Sequence, residues 1–311
     1  MKQNILTITF NPSVDKSSRV DKIVPEKKLR CISPIYEPGG GGINVSRALK
    51  RLGVEADTFF LSGGRAGDLL GQLLENEAIK SLPFPIAGES RENFIVVDES
   101  NGQQYRFGMP GSNISEAEQN NILRYFDEKG SLPSFVVISG SLPPGMSNIF
   151  LRKLISSFKR KGSKVIVDTS GEALKEAANE NVFLLKPNLG ELAALTGKEE
   201  IDGASIIDAA KTLIHQKMAE VVVVSLGAKG ALLCTVDEYF LVHAPLIKVR
   251  STVGAGDSMV AGMVYVMANG GGFKEMLQMG VACGSATTMA TGTGLFKKEN
   301  VESLLEMIKS H

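Results

Sequence analysis

Lys164–Lys186, KVIVDTSGEALKEAANENVFLLK, contains two short apolar runs separated by a helical pattern. Both runs are apolar at nearly every position, which is typical of strands covered on both faces of a parallel sheet. Similar runs recur along the chain with helical patterns between them: Ile5–Phe10, Thr58–Leu61, Phe135–Ser139 and Val221–Ser225. This alternation predicts an α/β fold in which helices flank a doubly wound sheet.

Two stretches of the chain break the alternation, because they contain strand patterns without helices between them. They are Lys16–Glu37 and Arg91–Phe107. In the second stretch, Asn93–Asp98 and Gln103–Phe107 read as a hairpin whose turn contains Gly102. We expect one domain over residues 1–311, from which a small β-sheet built from about 16–37 and 91–107 projects.

Composition restricts the partners of the protein. The 311 residues contain 34 Lys plus Arg and 34 Asp plus Glu, so the formal charge is zero. A neutral chain without a basic block argues against nucleic-acid binding, and no apolar run approaches the roughly 18 residues of a membrane span. Cys31, Cys234 and Cys283 are far apart and form no CxxC pair. We therefore expect a cytoplasmic protein with neither nucleic acid nor membrane as a partner.

Several common catalytic signatures are absent from the sequence. There is no GxGxxG dinucleotide fingerprint and no GxxxxGK[ST] P-loop, and the three histidines form neither HExxH nor a Cys/His ligand spacing. There is also no GxSxG nucleophile elbow. These absences disfavour an oxidoreductase of the Rossmann type, a P-loop NTPase, a zinc enzyme and a serine hydrolase.

The strongest local motif is Ser251–Ser258, STVGAGDS, which leads directly into an apolar helical pattern. Small residues let backbone N–H groups approach an anion, and the start of a helix carries partial positive charge. Asp257 lies in the first turn, where it serves either as a helix cap or as a base for phosphoryl transfer. Three small residues before it favour the second interpretation, since a cap does not require them.

Three further motifs follow predicted strands or enter predicted helices. Glu37–Arg47, EPGGGGINVSR, is a glycine-rich loop that would let a ligand touch the backbone. Ser225–Gly230, SLGAKG, follows a buried strand and so lies at the carboxyl edge of the sheet, where open α/β folds bind ligands. Lys186–Glu191, KPNLGE, combines a cation, an amide and a carboxylate, although the same residues also suit a turn and a helix start.

Seven motifs in a fixed order resemble the PfkB branch of the ribokinase-like sugar kinases, from about Ile5 to about Leu295. They are EPGGGGINV, QYRFGMPG, VISGSLPPG, VDTSGEAL, KPNLGEL, VVVSLGAKGAL and STVGAGDSM. The resemblance implies a ribokinase-like fold with a β-sheet lid, and ATP-dependent phosphorylation of a sugar phosphate that uses Mg²⁺. It also implies a homodimer formed through the lid, which fits the apolar residues on both faces of the lid strands.

The family's catalytic and sugar-binding residues can be carried over by motif. Asp257 matches the catalytic base, and its loop matches the anion hole around the transferred phosphoryl: Gly254, Ala255 and Gly256. The sugar-binding positions are Asp15, Gly40, Gly41 and Asn44. The positions expected around the substrate's own phosphate are Lys28, Arg30, Arg91 and Ser139.

The resemblance also implies the nucleotide and metal positions. Those for the ATP phosphates are Lys186, Asn188 and Glu191, with Glu191 acting on Mg²⁺ through water. The nucleotide loop corresponds to Ser225, Gly227 and Gly230. Residues near the adenine are Val249, Val281 and Ser285. The candidate ligands of a K⁺ ion are Ser251 and Val253.

The acceptor is the least determined part of the resemblance. Kinases of fructose 1-phosphate and tagatose 6-phosphate usually carry Lys in the glycine loop, as GKGINV, whereas Gly41 stands here as in the branch that phosphorylates fructose 6-phosphate. We therefore expect fructose 6-phosphate as the substrate, with the other two sugar phosphates as alternatives. A non-catalytic sugar or nucleotide sensor is a further alternative, which the intact GAGD and KPNLGE motifs disfavour.

Overall fold

The computed structural model describes residues 4–129 and 133–310. Its main sheet has nine strands, in the spatial order β13-β12-β11-β10-β9-β8-β1-β4-β5. The strands of this sheet are β1 (Ile5–Thr9), β4 (Asp57–Ser62), β5 (Ser81–Pro85), β8 (Phe135–Ser139), β9 (Lys164–Asp168), β10 (Val182–Leu185), β11 (Ala219–Ser225), β12 (Ala231–Cys234) and β13 (Tyr239–Val242). From β5 to β11 all pairings are parallel, and the β12–β13 hairpin continues the sheet antiparallel to β11.

Helices cover both faces of this sheet, as the alternation predicts. The described helices are α1 (Gly41–Arg51), α2 (Gly64–Asn76), α3 (Glu116–Asp127), α4 (Asn148–Arg160), α5 (Gly171–Ala178), α6 (Leu189–Thr196), α7 (Ser205–His215), α8 (Ala255–Ala268), α9 (Phe273–Thr288) and α10 (Lys298–Lys309). Helices α3 to α7 pack on one face, and α1, α8, α9 and α10 pack on the other. The strands alternate accordingly, since Val136 and Ile138 belong to the first core and Phe135 and Val137 to the second. The α/β prediction is confirmed.

A second sheet of four strands stands apart from the main one, in the order β3-β2-β6-β7. Its strands are β2 (Ser13–Val20), β3 (Ile35–Gly39), β6 (Arg91–Asp98) and β7 (Gln103–Phe107). We call it the small sheet. It extends beyond the expected range of 16–37, since β2 begins at Ser13 and β3 ends at Gly39. Residues 21–34 are irregular rather than strand-rich. The predicted hairpin is present as the antiparallel pair β6–β7.

The order of the strands explains how the chain reaches the small sheet. β2 leaves the main sheet after β1, and β3 returns directly into α1 through the glycine-rich loop. β2 then pairs in parallel with β6, far away in sequence, through eight aligned residues. Within the described ranges 4–129 and 133–310, no helix has the length and apolar character needed to cross a membrane.

Candidate active site

The carboxyl ends of the parallel strands bring polar residues to one edge of the main sheet. Ser139 ends β8 and lies next to Asp168, the last residue of β9, in the strand register. Lys186 directly follows β10, and Ser225 ends β11. Ligands of open α/β folds bind at this edge. Four of the motifs therefore meet at one place although they are distant in the sequence.

Asp257 lies above this edge, in the first turn of α8. Gly254 caps the helix with φ +73, a left-handed conformation that glycine adopts readily, and a Cβ there would lie only 2.9 Å from Leu295 Cδ2. The Asp257 carboxylate accepts a hydrogen bond from Asn44 Nδ2 at 2.9 Å and a longer one from Ser139 Oγ at 3.4 Å. The GAGD loop, the glycine-rich loop and the end of β8 thus converge on one carboxylate. Because Gly254 is the N-cap residue of α8, Asp257 lies inside the first turn and is not the helix cap.

The environment of Asp257 changes its acidity. Removal from water, followed by the negative charge of Asp168, raises the pKa of Asp257 to about 6, against the stabilising effects of Asn44, Lys186 and Ser139. At pH 7 most of the carboxyl is therefore ionised, and it is a stronger base than a solvated aspartate. The sequence indicated that Asp257 lies at a helix start, but it did not indicate the burial that raises this pKa. A pKa close to neutral suits general base catalysis better.

Lys186 and Asp168 form a buried ion pair beside Asp257. Lys186 Nζ lies 3.1 Å from Asp168 Oδ1. Burial alone would lower the pKa of Lys186, but the carboxylates of Asp168, Asp257 and Glu191 together raise it, so the amine stays charged. A Cβ at Gly256 would be 3.5 Å from Lys186 Nζ, so the amine lies close to the start of α8. Asp168 was not among the site residues predicted from the sequence; its position at the end of a buried strand was the available signal.

The glycine-rich loop packs against the end of β8 without room for side chains. Gly40 has φ +118, outside the range that other residues favour, and a Cβ at Gly41 would lie 2.3 Å from Ser139 Oγ. The loop ends in α1, which begins at Gly41 and carries Asn44 in its first turn. The close approach to Ser139 therefore requires glycine at position 41, the positive φ favours glycine at position 40, and the loop backbone forms the floor of the cleft.

Asp15 comes to the cleft from the small sheet. Its Oδ1 accepts hydrogen bonds from Ser13 Oγ at 2.8 Å and from Asn93 Nδ2 at 2.9 Å. Asn93 lies directly beside Asp15 in the β2–β6 register, and its own oxygen accepts from the backbone of Met109. Asn93 was not predicted as a site residue, because the parallel pairing of these two strands could not be read from the sequence. Asp15 and Asn93 together offer a carboxylate and an amide to a polyhydroxyl ligand.

The three cations expected for a substrate phosphate occupy different environments. Arg91 is partly buried and donates to the carbonyls of Met109 and Asn11 at 3.1 and 3.0 Å. Its Nε is the buried side-chain nitrogen without a hydrogen-bond partner among the described residues. Lys28 and Arg30 are exposed in the irregular part of the 21–34 segment, and neither makes a hydrogen bond or ion pair within the described parts of this chain. The structure therefore does not join them to Arg91.

A cavity of about 360 Å³ lies on the other side of Asp257. Ser225, a short 3₁₀ helix (Gly227–Lys229) and Gly230 form one wall. Gly230 has φ +104, and a Cβ there would lie 2.0 Å from the carbonyl of Val242. The remaining wall is mostly apolar and includes Val249, Ile247, Met259, Val281 and Ser285. All six residues predicted for the nucleotide loop and the adenine line this cavity, and so do Ala255 and Gly256.

Asn188 and Glu191 cap helix α6 reciprocally. Asn188 Oδ1 accepts from the backbone N–H of Glu191, and Glu191 Oε2 accepts from that of Asn188, both at 2.9 Å. The structural interpretation of KPNLGE as a helix start is therefore correct. It does not exclude a second role, because the cap uses one of the two carboxylate oxygens and the helix begins at the same sheet edge as Lys186.

Ser251 and Val253 lie at the base of the GAGD loop. Ser251 Oγ donates to the carbonyl of Gly292 at 2.7 Å and accepts from the N–H of Val253 at 3.3 Å. The backbone N–H of Ser251 donates to the carbonyl of Thr288. The loop after α9 is thus brought against the loop before α8, and the carbonyl oxygens of Gly292 and Thr288 lie near Ser251.

Relatives of known function resemble this chain over nearly its whole length. The chain is 42% identical to ATP-dependent 6-phosphofructokinase isozyme 2 of Escherichia coli (strain K12), covering 96% of this chain and 97% of that protein. It is 32% identical to 1-phosphofructokinase of Bacillus subtilis (strain 168), covering 98% of each.

Solved structures of phosphofructokinase-2 from Escherichia coli share the fold. The complex with fructose-6-phosphate has a TM-score of 0.93 at 39% identity, and the complex with potassium has 0.94 at 40%. The tetrameric inhibited form has 0.92 at 39%, and each match covers 99% of both chains. The family model described as pfkB family carbohydrate kinase matches residues 6–300, in agreement with the order of the motifs around the cleft. This chain therefore belongs to the pfkB family of carbohydrate kinases.

Proposed function

We propose that the protein is an ATP-dependent kinase that converts fructose 6-phosphate to fructose 1,6-bisphosphate. The observation that carries this proposal is the place of Asp257 between two binding regions. Asn44 contacts its carboxylate from the sugar side, while Ala255 and Gly256, in the same turn of α8, line the nucleotide cavity. The names of the Escherichia coli relative and of its sugar complex support the same acceptor. ADP release measured with several hexose phosphates tests the proposal.

Asp257 acts as the general base in this proposal. It takes the proton from the acceptor hydroxyl as that oxygen attacks the terminal phosphorus of ATP and ADP leaves. With a pKa of about 6 the carboxyl is ready to accept the proton at neutral pH. The N–H groups of Gly254, Ala255 and Gly256 at the start of α8 stabilise the negative charge that develops on the transferred phosphoryl. Lys186 adds a buried positive charge on the nucleotide side.

The sugar phosphate lies under the small sheet. Asp15, Gly40, Gly41 and Asn44 bind its hydroxyl groups, and Asn93 orients Asp15 through their hydrogen bond. The phosphate of the substrate lies beside Arg91 and Ser139. The buried, unpaired Nε of Arg91 supports this assignment, because a buried donor without an acceptor is costly and a phosphate oxygen would satisfy it.

ATP occupies the cavity beyond Asp257. The base lies between Val249, Val281 and Ser285, and the loop of Ser225, Gly227 and Gly230 holds the ribose and phosphates. Backbone N–H groups can approach phosphates closely in this loop, since Gly227 and Gly230 carry no side chain and both have positive φ. Lys186 and Asn188 face the phosphates from the end of β10.

Magnesium fits the charges on the nucleotide side. Glu191, Asp168 and Asp257 are all close enough to act on the charge of Lys186. Among residues 4–129 and 133–310 no three or more His, Cys, Asp or Glu side chains are grouped so as to hold a metal ion by themselves. Mg²⁺ usually binds through one or two carboxylates, water and the phosphates of the substrate. We assign Glu191 a water-mediated contact with Mg²⁺, which when bound would neutralise charge on the ATP phosphates.

A potassium site near Ser251 and Val253 is part of the same proposal. The contact between Ser251 and Gly292 brings the two loops together, and oxygen ligands are those that alkali cations prefer. The potassium complex of the Escherichia coli structure supports this assignment. A cation there would hold the loop before α8 and hence the anion hole.

The choice of fructose 6-phosphate over fructose 1-phosphate rests on Gly41 and on sequence identity. A side chain at Gly41 would collide with Ser139 Oγ, so a kinase with Lys at this position needs a different cleft floor. Identity is 42% to the 6-phosphofructokinase and 32% to the 1-phosphofructokinase. Fructose 1-phosphate and tagatose 6-phosphate remain the alternative acceptors in the assay.

We also propose a homodimer that forms through the small sheet, in the cytoplasm where ATP and hexose phosphates are found. The small sheet and its 21–34 segment expose several large apolar side chains: Leu29, Ile32, Ile35, Tyr36, Phe94 and Phe107. Exposed apolar patches of this kind commonly mark an interface. Lys28 and Arg30, without partners in their own described chain, are then available to the active site of the second subunit. In this arrangement the small sheet is both a lid and the interface.

A further inference from the structure

Arg47 lies one helical turn after Asn44 on α1, and its side chain is only 3% exposed. Its guanidinium forms a two-pronged ion pair with Glu77, the residue after helix α2, with Nη2 2.7 Å from Oε1 and Nε 2.9 Å from Oε2. The remaining nitrogen, Nη1, donates to the carbonyl of Pro38 at 3.2 Å and to Asn44 Oδ1 at 3.3 Å. Arg47 therefore connects the end of α2, the end of strand β3 and the side chain of Asn44.

These contacts determine which way the amide of Asn44 points. A guanidinium can only donate hydrogen bonds, so the oxygen of the amide must face Arg47. The NH₂ group then faces Asp257 and donates to its carboxylate at 2.9 Å. If the amide were rotated by half a turn, two donors would meet at Arg47 and two acceptors at Asp257. Both hydrogen bonds would be lost at once.

We propose that Arg47 is a positioning residue for phosphoryl transfer: it fixes the amide of Asn44, which in turn orients the Asp257 carboxylate, and Glu77 holds Arg47 in place. The inference rests on the proposed function, because it gives Asp257 the role of base. Arginine suits this position better than lysine, since one rigid group must donate in three directions to Glu77, Pro38 and Asn44. Through Pro38 the same side chain links the small sheet to the base.

The first test is the substitution Arg47→Lys, which keeps the positive charge but removes the planar guanidinium that donates in three directions. Small misplacements of a catalytic group can cost up to about 100-fold in rate, so we expect kcat to fall by roughly 10- to 100-fold. KM for ATP should change by less than about twofold, because the nucleotide cavity does not involve Arg47. The matched control is Arg51→Lys on the same helix. Arg51 donates to the carbonyl of Phe296 at 2.7 Å and not to Asn44, so its variant should keep kcat within about twofold.

A double-mutant cycle with Asn44→Ala separates positioning from general destabilisation. If Arg47 acts through Asn44, Arg47→Lys should change kcat by less than about twofold in the Asn44→Ala background. An equal loss of kcat in both backgrounds would overturn the proposal. If Arg47→Lys does not fold, Glu77→Gln replaces it in the same cycle. Glu77 is more exposed than Arg47, and glutamine keeps nearly the same shape as glutamate. This variant is expected to give a smaller loss of kcat with the same non-additivity.

A spectroscopic measurement keeps this inference separate from the proposed function. The side-chain NH₂ signals of Asn44 are assigned by their disappearance in Asn44→Ala. In the unliganded wild type their exchange with solvent should be slow, and Arg47→Lys should accelerate it at least about tenfold as the amide is released. Unchanged exchange would contradict the inference. If the wild type does not phosphorylate fructose 6-phosphate, the proposed function fails, and both the exchange measurement and a cycle with the accepted hexose phosphate still decide the role of Arg47.

Discussion

Asn44 Nδ2 donates a hydrogen bond to Asp257 Oδ2 at 2.9 Å, although 213 positions separate the two residues in the chain. Each residue lies in the first turn of a helix that follows a glycine-rich loop, Asn44 in α1 and Asp257 in α8. The two helices pack on the same face of the main sheet, so their first turns meet at its carboxyl edge. The bond therefore joins the loop assigned to the sugar with the loop assigned to the transferred phosphoryl.

Replacement of Asp257 by Asn should nearly abolish turnover while the protein still folds. The amide has almost the same shape as the carboxyl but cannot accept the hydroxyl proton, and a general base typically contributes about 10²- to 10⁴-fold in rate. Steady-state kcat with ATP and fructose 6-phosphate measures the loss. Circular dichroism of the variant serves as the folding control. If kcat stayed within a factor of about three, Asp257 would not be the general base.

The same variant should be more stable than the wild type above pH 6. Asp257 has a folded-state pKa of about 6 and an ordinary value of 3.8, so its ionised form is less favourable in the folded protein. Its contribution to stability is fully present below pH 3.8 and is lost as pH rises through about 6. We expect Asp257→Asn to increase the free energy of unfolding by about 1–3 kcal/mol at pH 8.

Urea unfolding of both proteins at pH 8 and at pH 5 measures this difference, which should be smaller at pH 5. The prediction would be contradicted if Lys186 and Asn44 stabilise the ionised form of Asp257 more than burial destabilises it. In that case the wild type would be the more stable protein at pH 8.

Much of this site could be predicted from local sequence, because its parts are glycine-rich loops next to strands or helices. Asp257 and Gly254 are recognisable by the small residues before an apolar helix, and Ser225 by the buried strand that it ends. The contacts between distant segments could not be predicted in this way. The ion pair of Lys186 with Asp168, the bond between Asp15 and Asn93, and that between Arg47 and Glu77 depend on strand order and register.

In the fold, too, local features could be predicted from the sequence and contacts between distant segments could not. The buried parallel strands were readable from their apolar runs, whereas the hairpin of β12 and β13 at the edge of the main sheet was not predicted. Tyr239 and Leu241 in β13 are exposed, so this strand lacks the continuous apolar pattern of a buried strand. The small sheet begins at Ser13 rather than Lys16 because Ser13 and Val14 pair with Arg91 and Glu92. That pairing is a property of the assembled sheet and not of β2 alone.

Truncation of Arg91 should weaken binding of the sugar phosphate rather than of ATP. Its guanidinium lies at the base of the small sheet, and burial lowers its pKa against the opposing charge of Asp15. A hydrogen bond between charged groups contributes about 1.5–3 kcal/mol, which corresponds to roughly 10- to 150-fold in KM. We expect Arg91→Met to raise KM for fructose 6-phosphate by this factor and KM for ATP by less than about twofold.

Arg152→Met is a suitable control for this experiment. Arg152 lies on α4 and pairs with Glu176 and Glu180, away from the cleft. It should leave both KM values unchanged. If Arg91→Met raised KM for ATP and left KM for the sugar phosphate unchanged, Arg91 would belong to the nucleotide side, and the assignment of the two sides would be wrong.

The small sheet should hold two subunits together. Phe94 pairs with Phe107 across β6 and β7, and 39% and 51% of these residues are exposed in the single chain. Phe94→Asp should therefore shift the protein from dimer to monomer in multi-angle light scattering at micromolar concentration, with a loss of activity. Ile149→Asp is a control, since Ile149 is also an exposed apolar residue, at 62%, but lies on α4. A wild-type protein that is monomeric and fully active would contradict the proposed interface.

The central claim is that the cleft around Asp257 transfers a phosphoryl group from ATP to fructose 6-phosphate. The most direct measurement is kcat/KM in a coupled assay of ADP release with fructose 6-phosphate, fructose 1-phosphate and tagatose 6-phosphate in turn. A mismatched polar group in a cleft typically costs at least about tenfold in kcat/KM, so fructose 6-phosphate should exceed both competitors by that factor or more. Equal or higher kcat/KM with fructose 1-phosphate or tagatose 6-phosphate, or no ADP release with any of the three, would contradict it.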